Sequence, residues 1–343
     1  MDVQVKEFNV SNDALDDVEE MRRRIAEDGY LFFRDLLDRE PLRELCLQML
    51  KVCQDGGWLK AGSALEDAVA DVSQACTFPD TEFMVVYHEV IKLEAFNLLS
   101  HMPAILDLMG SLLGEPAIPH GRLVGRMGFP VASPGGHKLT TMTHQDFIYV
   151  QGAAETYTCW ISLADCPREL GGLALMAGSN KGGIRQDADN IDPEKLTGEW
   201  LSTDYRRGDL LVFHSGTVHK GLHNLTPDRL RMSVDFRYSG VSTPKVAKEF
   251  IPHGDQLSWE EVYAGWQSTD IQYYWKKHDL NIVPLDRDYM ANRDAKSFEL
   301  ARKGDETVRP ALIRIANQEA DPEKRKAAEE ALRELDKLAE KSS

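Results

Sequence analysis

The 343-residue sequence predicts a mainly β protein with helices flanking the strands. Upstream of Ala117, apolar residues recur at three- and four-residue spacing, which is typical of amphipathic helices. From Ala117 to Gly240 the chain changes to short strand-like stretches separated by Gly and Pro turns, as in β-sandwiches and barrels. Beyond Gly240 the helical spacing returns. We therefore expect a β core between N-terminal helices and a C-terminal helical extension.

Boundary signals define the N-terminal elements. Gly29 closes the first helix, because glycine readily adopts the left-handed conformation that ends a helix. Asp38 is a suitable N-cap for the second helix, since its carboxylate can accept from free backbone N–H groups. Pro103 interrupts the third region, which therefore holds one or two helices ending at Gly114. The predicted helices cover about 13–28, 38–52 and 89–113, with a strand at 30–33 and a long loop at 54–82.

The strands of the core are predicted from short apolar or alternating stretches. They lie near 121–129, 144–150, 156–165, 173–177, 209–213, 217–222 and 229–238. In the last of these, apolar residues share one face and polar residues share the other. The polar face consists of Arg229, Arg231, Ser233, Asp235 and Arg237. The helices of the extension are predicted near 258–266, 269–277, 287–303, 305–318 and 321–340.

Composition and charge exclude several classes of protein. The formal net charge of −16 disfavours nucleic-acid binding, because phosphate backbones would be repelled. No stretch of about 18 consecutive apolar residues indicates a membrane helix, and the acidic N-terminus does not resemble a signal peptide. Five cysteines without a Cys-x-x-Cys motif suit reduced thiols, so we expect a cytoplasmic protein.

A His-x-Asp pair indicates a metal site. His144 and Asp146 are two residues apart, and on a strand they would point to the same face. A downstream histidine, which the spacing alone allows to be His214, His219 or His223, would complete the set. Two imidazoles and one carboxylate with open positions are the ligands of non-haem Fe(II) in oxygenases.

Beyond these histidines the polar face of the last strand suggests an anion site. If this face lines the interior of a barrel, a guanidinium there can bind a carboxylate through two parallel hydrogen bonds. Arg229 and Arg231 on this face are both candidates for that role.

Several motifs together resemble the phytanoyl-CoA dioxygenase family of Fe(II)/2-oxoglutarate oxygenases. They are His144-Gln145-Asp146, Cys159-Trp160-Ile161, Gly171-Gly172, Gly178 to Gly182, GDLLVFHSGTVH at 208–219 and RLRMSVDFRY at 229–238. The first predicted strand is also similar, so the resemblance covers roughly the first 240 residues. It implies a double-stranded β-helix, or jelly-roll, core with an oxygenase domain at 1–240. Residues 241–343 would then be a helical extension packed on that same domain.

The resemblance also implies roles for individual residues. His144, Asp146 and His219 would bind Fe(II). Arg231, helped by Ser233, would bind the C5-carboxylate of 2-oxoglutarate, and Trp160 and Thr158 would line the cosubstrate pocket. The family reaction converts 2-oxoglutarate and O2 to succinate and CO2 while a substrate C–H is hydroxylated, with ascorbate as the reductant in vitro. Because Asp146 is present, hydroxylation is expected rather than halogenation.

The substrate is expected to be a small molecule, and the enzyme a possible homodimer. Candidates for the substrate pocket are Arg126, His137, Phe147 and His223. Two alternative functions remain open from the sequence. One is a cupin-type metal dioxygenase that does not use 2-oxoglutarate, and the other is a non-catalytic barrel that binds a small molecule.

Overall fold

Two β-sheets form the centre of the protein. The structure, a computed structural model, describes residues 5–133, 140–185, 187–305, 308–318 and 321–342. The strands are β1 Val5–Lys6, β2 Tyr30–Phe33, β3 Ala117–Pro119, β4 Val124–Gly128, β5 Tyr157–Ser162, β6 Leu173–Met176, β7 Trp200–Leu201, β8 Leu210–His214, β9 His219–Gly221, β10 Arg231–Gly240, β11 Lys245–Val246 and β12 Ile282–Val283. The α-helices are α1 Val18–Asp28, α2 Arg39–Asp55, α3 Thr81–Ile91, α4 Glu94–Leu99, α5 Pro103–Leu113, α6 Phe147–Val150, α7 Trp259–Tyr263, α8 Tyr289–Arg302, α9 Arg309–Gln318 and α10 Pro322–Ser342.

The chain passes repeatedly from one sheet to the other. The larger sheet has the order β2-β8-β5-β10-β3, and β4 also pairs with β10. The smaller sheet has the order β1-β7-β6-β9. Along the sequence, β5, β8 and β10 therefore alternate with strands of the smaller sheet, which is the winding of a jelly roll. Among the described strands, the ladders do not close into a barrel.

The two faces of the larger sheet pack against different layers. The apolar face of β10 packs with α1 to α5 in one continuous cluster, and this face consists of Met232, Val234, Phe236 and Tyr238. The opposite face meets the smaller sheet, where Trp160 and Phe213 pack with Leu175. The polar side chains of β10 therefore point between the sheets, as the alternation predicts. The predicted β core with flanking helices is confirmed.

The end of α1 and the start of α2 lie at the residues that the sequence indicates, whereas α1 begins at Val18 instead of near residue 13 and α2 continues to Asp55. α1 follows Asp17, whose side chain accepts a hydrogen bond from Glu20 N, and it ends at Gly29 with φ of 81°. The carboxylate of Asp38 caps α2 through Glu40 N. Two short 3₁₀ turns lie in the predicted loop after α2, although α3 begins eight residues before the predicted start at residue 89, at Thr81.

Two secondary-structure predictions are wrong. Residues 147–150 form the single-turn helix α6 instead of a strand, and His144 makes only an isolated β-bridge with His219. A short apolar run is compatible with either helix or strand, so its pattern could not distinguish them. In the extension, the predicted helix at 269–277 is reduced to a 3₁₀ turn over Tyr274–Lys277.

One segment, Glu94–Leu113, is long and apolar enough to span a membrane by length and composition alone. It consists of α4 and α5, which residues 100–102 separate. Phe96 and Met109 from these helices are buried in the main apolar cluster, which explains the apolar composition as that of core helices.

The C-terminal extension contacts the core at several points. Trp266 Nε1 donates to Lys92 O at 2.9 Å, and Tyr274 Oη donates to Pro119 O at 2.7 Å. Gln151, which directly follows α6, exchanges two hydrogen bonds with the backbone of Asp286. Helices α8 to α10 add a small apolar cluster of their own.

Candidate active site

A backbone bridge and a sharp turn bring three potential ligands together. His144 and His219 exchange backbone N–H···O hydrogen bonds of 3.0 Å each, so their side chains stand side by side with ring centroids 4.2 Å apart. The chain then turns into α6, which brings Asp146 beneath the two rings. Asp146 Oδ1 lies 3.6 Å from His144 Nε2 and 3.9 Å from His219 Nε2. All three side chains are buried.

Both histidines are held with Nε2 directed at the shared point. His144 Nδ1 lies 2.7 Å from Met142 O, and His219 Nδ1 lies 3.0 Å from Thr217 O. A carbonyl can only accept, so each Nδ1 carries the proton and each Nε2 presents a lone pair. Burial, reinforced by the nearby His144, lowers the pKa of His219 to about 3. His219 is therefore a neutral imidazole near pH 7, which is the form that binds metals.

Asp146 is held by two neighbours. Arg237 Nη2 donates to Oδ1 at 2.7 Å and Nε to Oδ2 at 3.2 Å, while Thr158 Oγ1 donates to Oδ2 at 2.6 Å. Burial alone would raise the pKa of the Asp146 carboxyl, but the charge and hydrogen bonds of Arg237 hold it well below its usual range. The carboxylate is therefore ionised.

These three residues fit a mononuclear metal by donor type and spacing. Their ligand atoms all lie within 4.8 Å of one another. Two imidazoles and one carboxylate on one side of a point form the facial arrangement of non-haem Fe(II) sites. Within the described ranges they are the one such group of His, Cys, Asp or Glu.

The other two candidate histidines lie elsewhere. His214 Nδ1 accepts from Gly216 N at 3.0 Å, and its ring packs 5.7 Å from that of Tyr157. His223 is exposed and does not line the cavity, because β9 ends at Gly221 and the regular alternation ends with it. The structure therefore places His223, a candidate for the third ligand and for the substrate pocket, outside this cavity.

A cavity between the sheets extends from the triad to Arg231. Its lining comprises Arg126, Thr141, His144, Asp146, Thr158, Trp160, Leu173, Phe213, His219, Gly221, Arg231 and Asp235. Four of the residues expected to bind cosubstrate or substrate thus line the same space as the triad: Arg126, Thr158, Trp160 and Arg231. Thr158 directs its hydroxyl at Asp146, a contact that the sequence did not predict.

Arg231 is a buried cation without an acidic partner. It is 8% exposed, and among the described residues no carboxylate lies within 4.0 Å of its guanidinium. Its Nη1 lies 3.5 Å from Ser233 Oγ, and this is the one side-chain hydrogen bond that Arg231 forms with a described residue. Burial lowers the pKa of Arg231, although a guanidinium stays charged in a protein. The rival candidate Arg229 is exposed.

The remaining candidates occupy different positions. Arg126 Nε donates to Asp235 Oδ2 at 2.7 Å, while Asp235 Oδ1 is buried and forms no hydrogen bond with any described residue. Phe147 is buried against Tyr289, with ring centroids 5.3 Å apart, and it does not line the cavity. His137 lies outside the described residues.

The sequence reasoning gave no role to Arg237 or Asp235. Both lie on the predicted polar face of β10, which was the available signal. The alternation could not predict the partner of either side chain, because a partner can be distant in the sequence: Arg237 binds a carboxylate 91 residues away.

Two histidines and one carboxylate, with a buried arginine on the wall of the same cavity, lie between the sheets of this β fold and fit a mononuclear metal by donor type and spacing. Residues 25–233 match the sequence profile of phytanoyl-CoA dioxygenase. The chain therefore belongs to the phytanoyl-CoA dioxygenase family, and it is an oxidoreductase of the dioxygenase class.

Two curated relatives are similar to this chain. The 1-deoxypentalenic acid 11-beta-hydroxylase of Streptomyces exfoliatus is 29% identical over 245 residues, which are 67% of this chain and 83% of the relative. The enzyme of the same name from Streptomyces arenae is 29% identical over 246 residues, with the same coverage.

Solved structures with similar folds are more distant. The epimerase SnoN in complex with Fe3+, alpha ketoglutarate and nogalamycin RO has a TM-score of 0.48 at 20% identity, and the match covers 66% of this chain and 84% of that one. EctD from S. alaskensis with 2-oxoglutarate and 5-hydroxyectoine has a TM-score of 0.45 at 17% identity, covering 70% and 80%.

Proposed function

We propose that this protein is an Fe(II)/2-oxoglutarate-dependent dioxygenase that hydroxylates an unactivated C–H bond of a small-molecule metabolite. When bound, iron and the cosubstrate supply the oxidative chemistry, in which 2-oxoglutarate and O2 give succinate and CO2 while the substrate gains a hydroxyl group. Membership of the phytanoyl-CoA dioxygenase family and similarity to two hydroxylases support this assignment.

The observation that carries the 2-oxoglutarate part is the buried guanidinium of Arg231. A buried charge without a partner is costly, so a site that retains one is adapted to an anionic ligand. The guanidinium also lies close to the backbone at Gly128, where a Cβ would stand 3.1 Å from Arg231 Nε. A carboxylate at the far end of the cavity from the triad is the ligand that fits, and 2-oxoglutarate has one at each end.

The roles of the chain's own residues follow from their positions. His144, Asp146 and His219 would hold Fe(II). Arg231 and Ser233 would bind the C5-carboxylate, and Trp160 would pack along the carbon chain of 2-oxoglutarate. Because the site lies between two sheets, its apolar walls exclude bulk water from the reacting groups.

The substrate would approach the triad near Arg126 and the rim of the cavity. Arg126 is 30% exposed, so its guanidinium can meet a polar group of an incoming molecule. Met142 and Tyr149 flank His144 and are 58% and 46% exposed, which makes the rim partly apolar. Since the two hydroxylases act, by name, on a carboxylic acid, we propose a small and largely apolar metabolite with a polar end.

Other properties belong to the same proposal. The contacts of Trp266, Tyr274 and Gln151 support residues 241–343 as an extension packed on the oxygenase domain at 1–240. The five cysteines are buried and unpaired, which suits a reducing compartment such as the cytoplasm.

The test is a screen of candidate metabolites for substrate-dependent conversion of 2-oxoglutarate to succinate, with Fe(II) and ascorbate. Substrate-dependent succinate together with a hydroxylated product is the expected result. A cupin-type dioxygenase would oxidise its substrate without consuming 2-oxoglutarate, and a non-catalytic binding protein would bind the metabolite without turnover. Arg231 favours the 2-oxoglutarate-dependent dioxygenase, because neither alternative function requires a buried cation at the far end of the cavity.

A further inference from the structure

We infer that Arg237 and Thr158 are positioning residues that hold Asp146 so that only one of its oxygens faces the metal. This inference rests on the metal centre in the proposed function, and it concerns side chains that do not themselves bind the ion. It is based on the different surroundings of the two Asp146 oxygens: Oδ1 faces the histidine nitrogens, whereas Oδ2 accepts hydrogen bonds from Thr158 and Arg237.

Asp146 Oδ1 is the oxygen that faces the two histidine nitrogens, at 3.6 and 3.9 Å. Oδ2 is engaged from two other directions, by Thr158 Oγ1 at 2.6 Å and by Arg237 Nε at 3.2 Å. Arg237 Nη2 also donates to Oδ1 at 2.7 Å, so the planar guanidinium spans both oxygens and fixes the plane of the carboxylate.

The larger sheet fixes the positions of Arg237 and Thr158. Arg237 on β10 and Thr158 on β5 are directly opposite each other in the antiparallel ladder. Both side chains are buried, at 7% and 1% exposure, so neither is free to reorient in solvent. Two donors on neighbouring strands thus define one orientation for a carboxylate that comes from the turn before α6.

One-oxygen binding matters because of the number of positions around the metal. Three protein atoms occupy half of an octahedron and leave three positions open. A chelating 2-oxoglutarate would take two of these positions, and O2 would need the third. If both oxygens of Asp146 were ligands, only two positions would remain. Hydrogen bonds that occupy Oδ2 therefore preserve the position that O2 needs.

A different role for Arg237 predicts the opposite change in metal affinity. If its guanidinium merely neutralises Asp146 until a metal arrives, it repels the dication. Removing it would then strengthen metal binding. If it positions the carboxylate, removing it weakens metal binding, because residues that orient metal ligands typically contribute about 10- to 100-fold to affinity. The sign of the change distinguishes the two roles.

The experiment uses the full-length protein and Co(II), an O2-insensitive probe, with affinity measured by isothermal titration calorimetry. We expect Arg237→Gln to weaken Co(II) binding by about 10- to 100-fold and Thr158→Val by about 10-fold. Arg237→Lys keeps the positive charge but loses the paired N–H donors of the planar guanidinium. Its affinity for Co(II) should therefore lie between those of the wild type and Arg237→Gln. The matched control is Arg229→Gln, which removes a neighbouring exposed arginine from the same polar face and should leave Co(II) affinity unchanged.

A structural readout accompanies the affinities. X-ray absorption of the Co(II) protein distinguishes a carboxylate bound through one oxygen from one bound through both, because the carboxyl carbon lies closer to the metal in the second case. In the wild type we expect Asp146 to bind through one oxygen. In Thr158→Val, with Oδ2 released, an additional contact from the carboxylate is expected. Because Thr158→Val preserves volume, it carries the test if Arg237→Gln does not fold.

The outcomes separate the inference from the proposed function. If the wild type binds no Co(II), the metal centre itself is wrong. The other decisive result is that the wild type binds Co(II) and that both Arg237→Gln and Thr158→Val bind it at least as tightly, with Asp146 still bound through one oxygen. The positioning role is then overturned while the proposed function stands.

Discussion

The strongest prediction concerns Arg231, because its replacement should change two quantities in opposite directions. In the absence of ligands, Arg231 is a buried cation without an acidic partner among the described residues. Replacing it by methionine, which has a similar length and no charge, removes an uncompensated desolvation cost. We expect the free energy of unfolding of the ligand-free protein to stay equal or to rise by about 1–3 kcal/mol.

Binding of 2-oxoglutarate should respond in the other direction. Removing one partner of a desolvated, charged pair of hydrogen bonds typically costs about 2–5 kcal/mol. At about 1.4 kcal/mol per decade, the dissociation constant should rise by roughly 30- to several-thousand-fold. Arg231→Lys should also bind weakly, since a lysine cannot supply the two parallel donors.

The assay is thermal or urea unfolding with and without 2-oxoglutarate, in the presence of Co(II). At a concentration about 100-fold above its dissociation constant, 2-oxoglutarate should stabilise the wild type by about 2.7 kcal/mol. In Arg231→Met this stabilisation should disappear at the same concentration. Arg229→Met is the matched control, because Arg229 is the neighbouring exposed arginine and should have no effect on either quantity.

A second variant keeps the guanidinium and changes its surroundings. A Cβ at position 128 would stand 3.1 to 3.2 Å from Arg231 Nε and Nη2, so Gly128→Ala should displace the fork and weaken 2-oxoglutarate binding more mildly. If Arg231→Met retains wild-type 2-oxoglutarate affinity, the anion site is wrong. The cupin-type function would then become the better explanation of the fold.

Three further predictions follow from the triad and its surroundings. His219→Ala should weaken metal binding by more than about 100-fold and abolish turnover, whereas His214→Ala should retain both; the reverse pattern in a metal titration would show that the third ligand is wrongly assigned. Asp146→Gly should lose hydroxylation and open a metal position to chloride or azide, which azide-dependent spectra would detect. Asp146→Gly should also lower the free energy of unfolding by about 3–5 kcal/mol, because Arg237 would be left buried without its partner. If Asp146→Gly hydroxylates fully at normal iron occupancy, Asp146 is not a metal ligand. The metal-free protein should lose stability as the pH falls from about 6.5 towards 3, since in this window the unfolded chain takes up a proton at His219 that the folded chain does not. The slope from this residue is at most about 1.4 kcal/mol per pH unit, and denaturant titrations of His219→Gln should lack it.

Much of the fold was predictable from local pattern because the relevant signals are local. Glycine at a helix end and aspartate at a helix start act within one turn, and both Gly29 and Asp38 lie where expected. The alternation along β10 correctly separated its apolar face from its polar face, and the structure shows that the helices cover the apolar one. The segment at 144–150 was mistaken for a strand because its apolar run is too short to have a distinctive period.

Residue types and strand faces were thus determined by the sequence alone. It identified a His-x-Asp pair, three downstream histidines and a row of polar residues on one strand, and their resemblance to a known family singled out His219 and Arg231. Local pattern could not determine which groups meet in space. That Arg237 holds Asp146, that Thr158 turns towards the same carboxylate and that Arg231 has no acidic partner among the described residues were decided only by the tertiary structure. The physical reason is that periodicity specifies the face to which a side chain points, whereas its partner depends on the register between strands that are distant in the sequence.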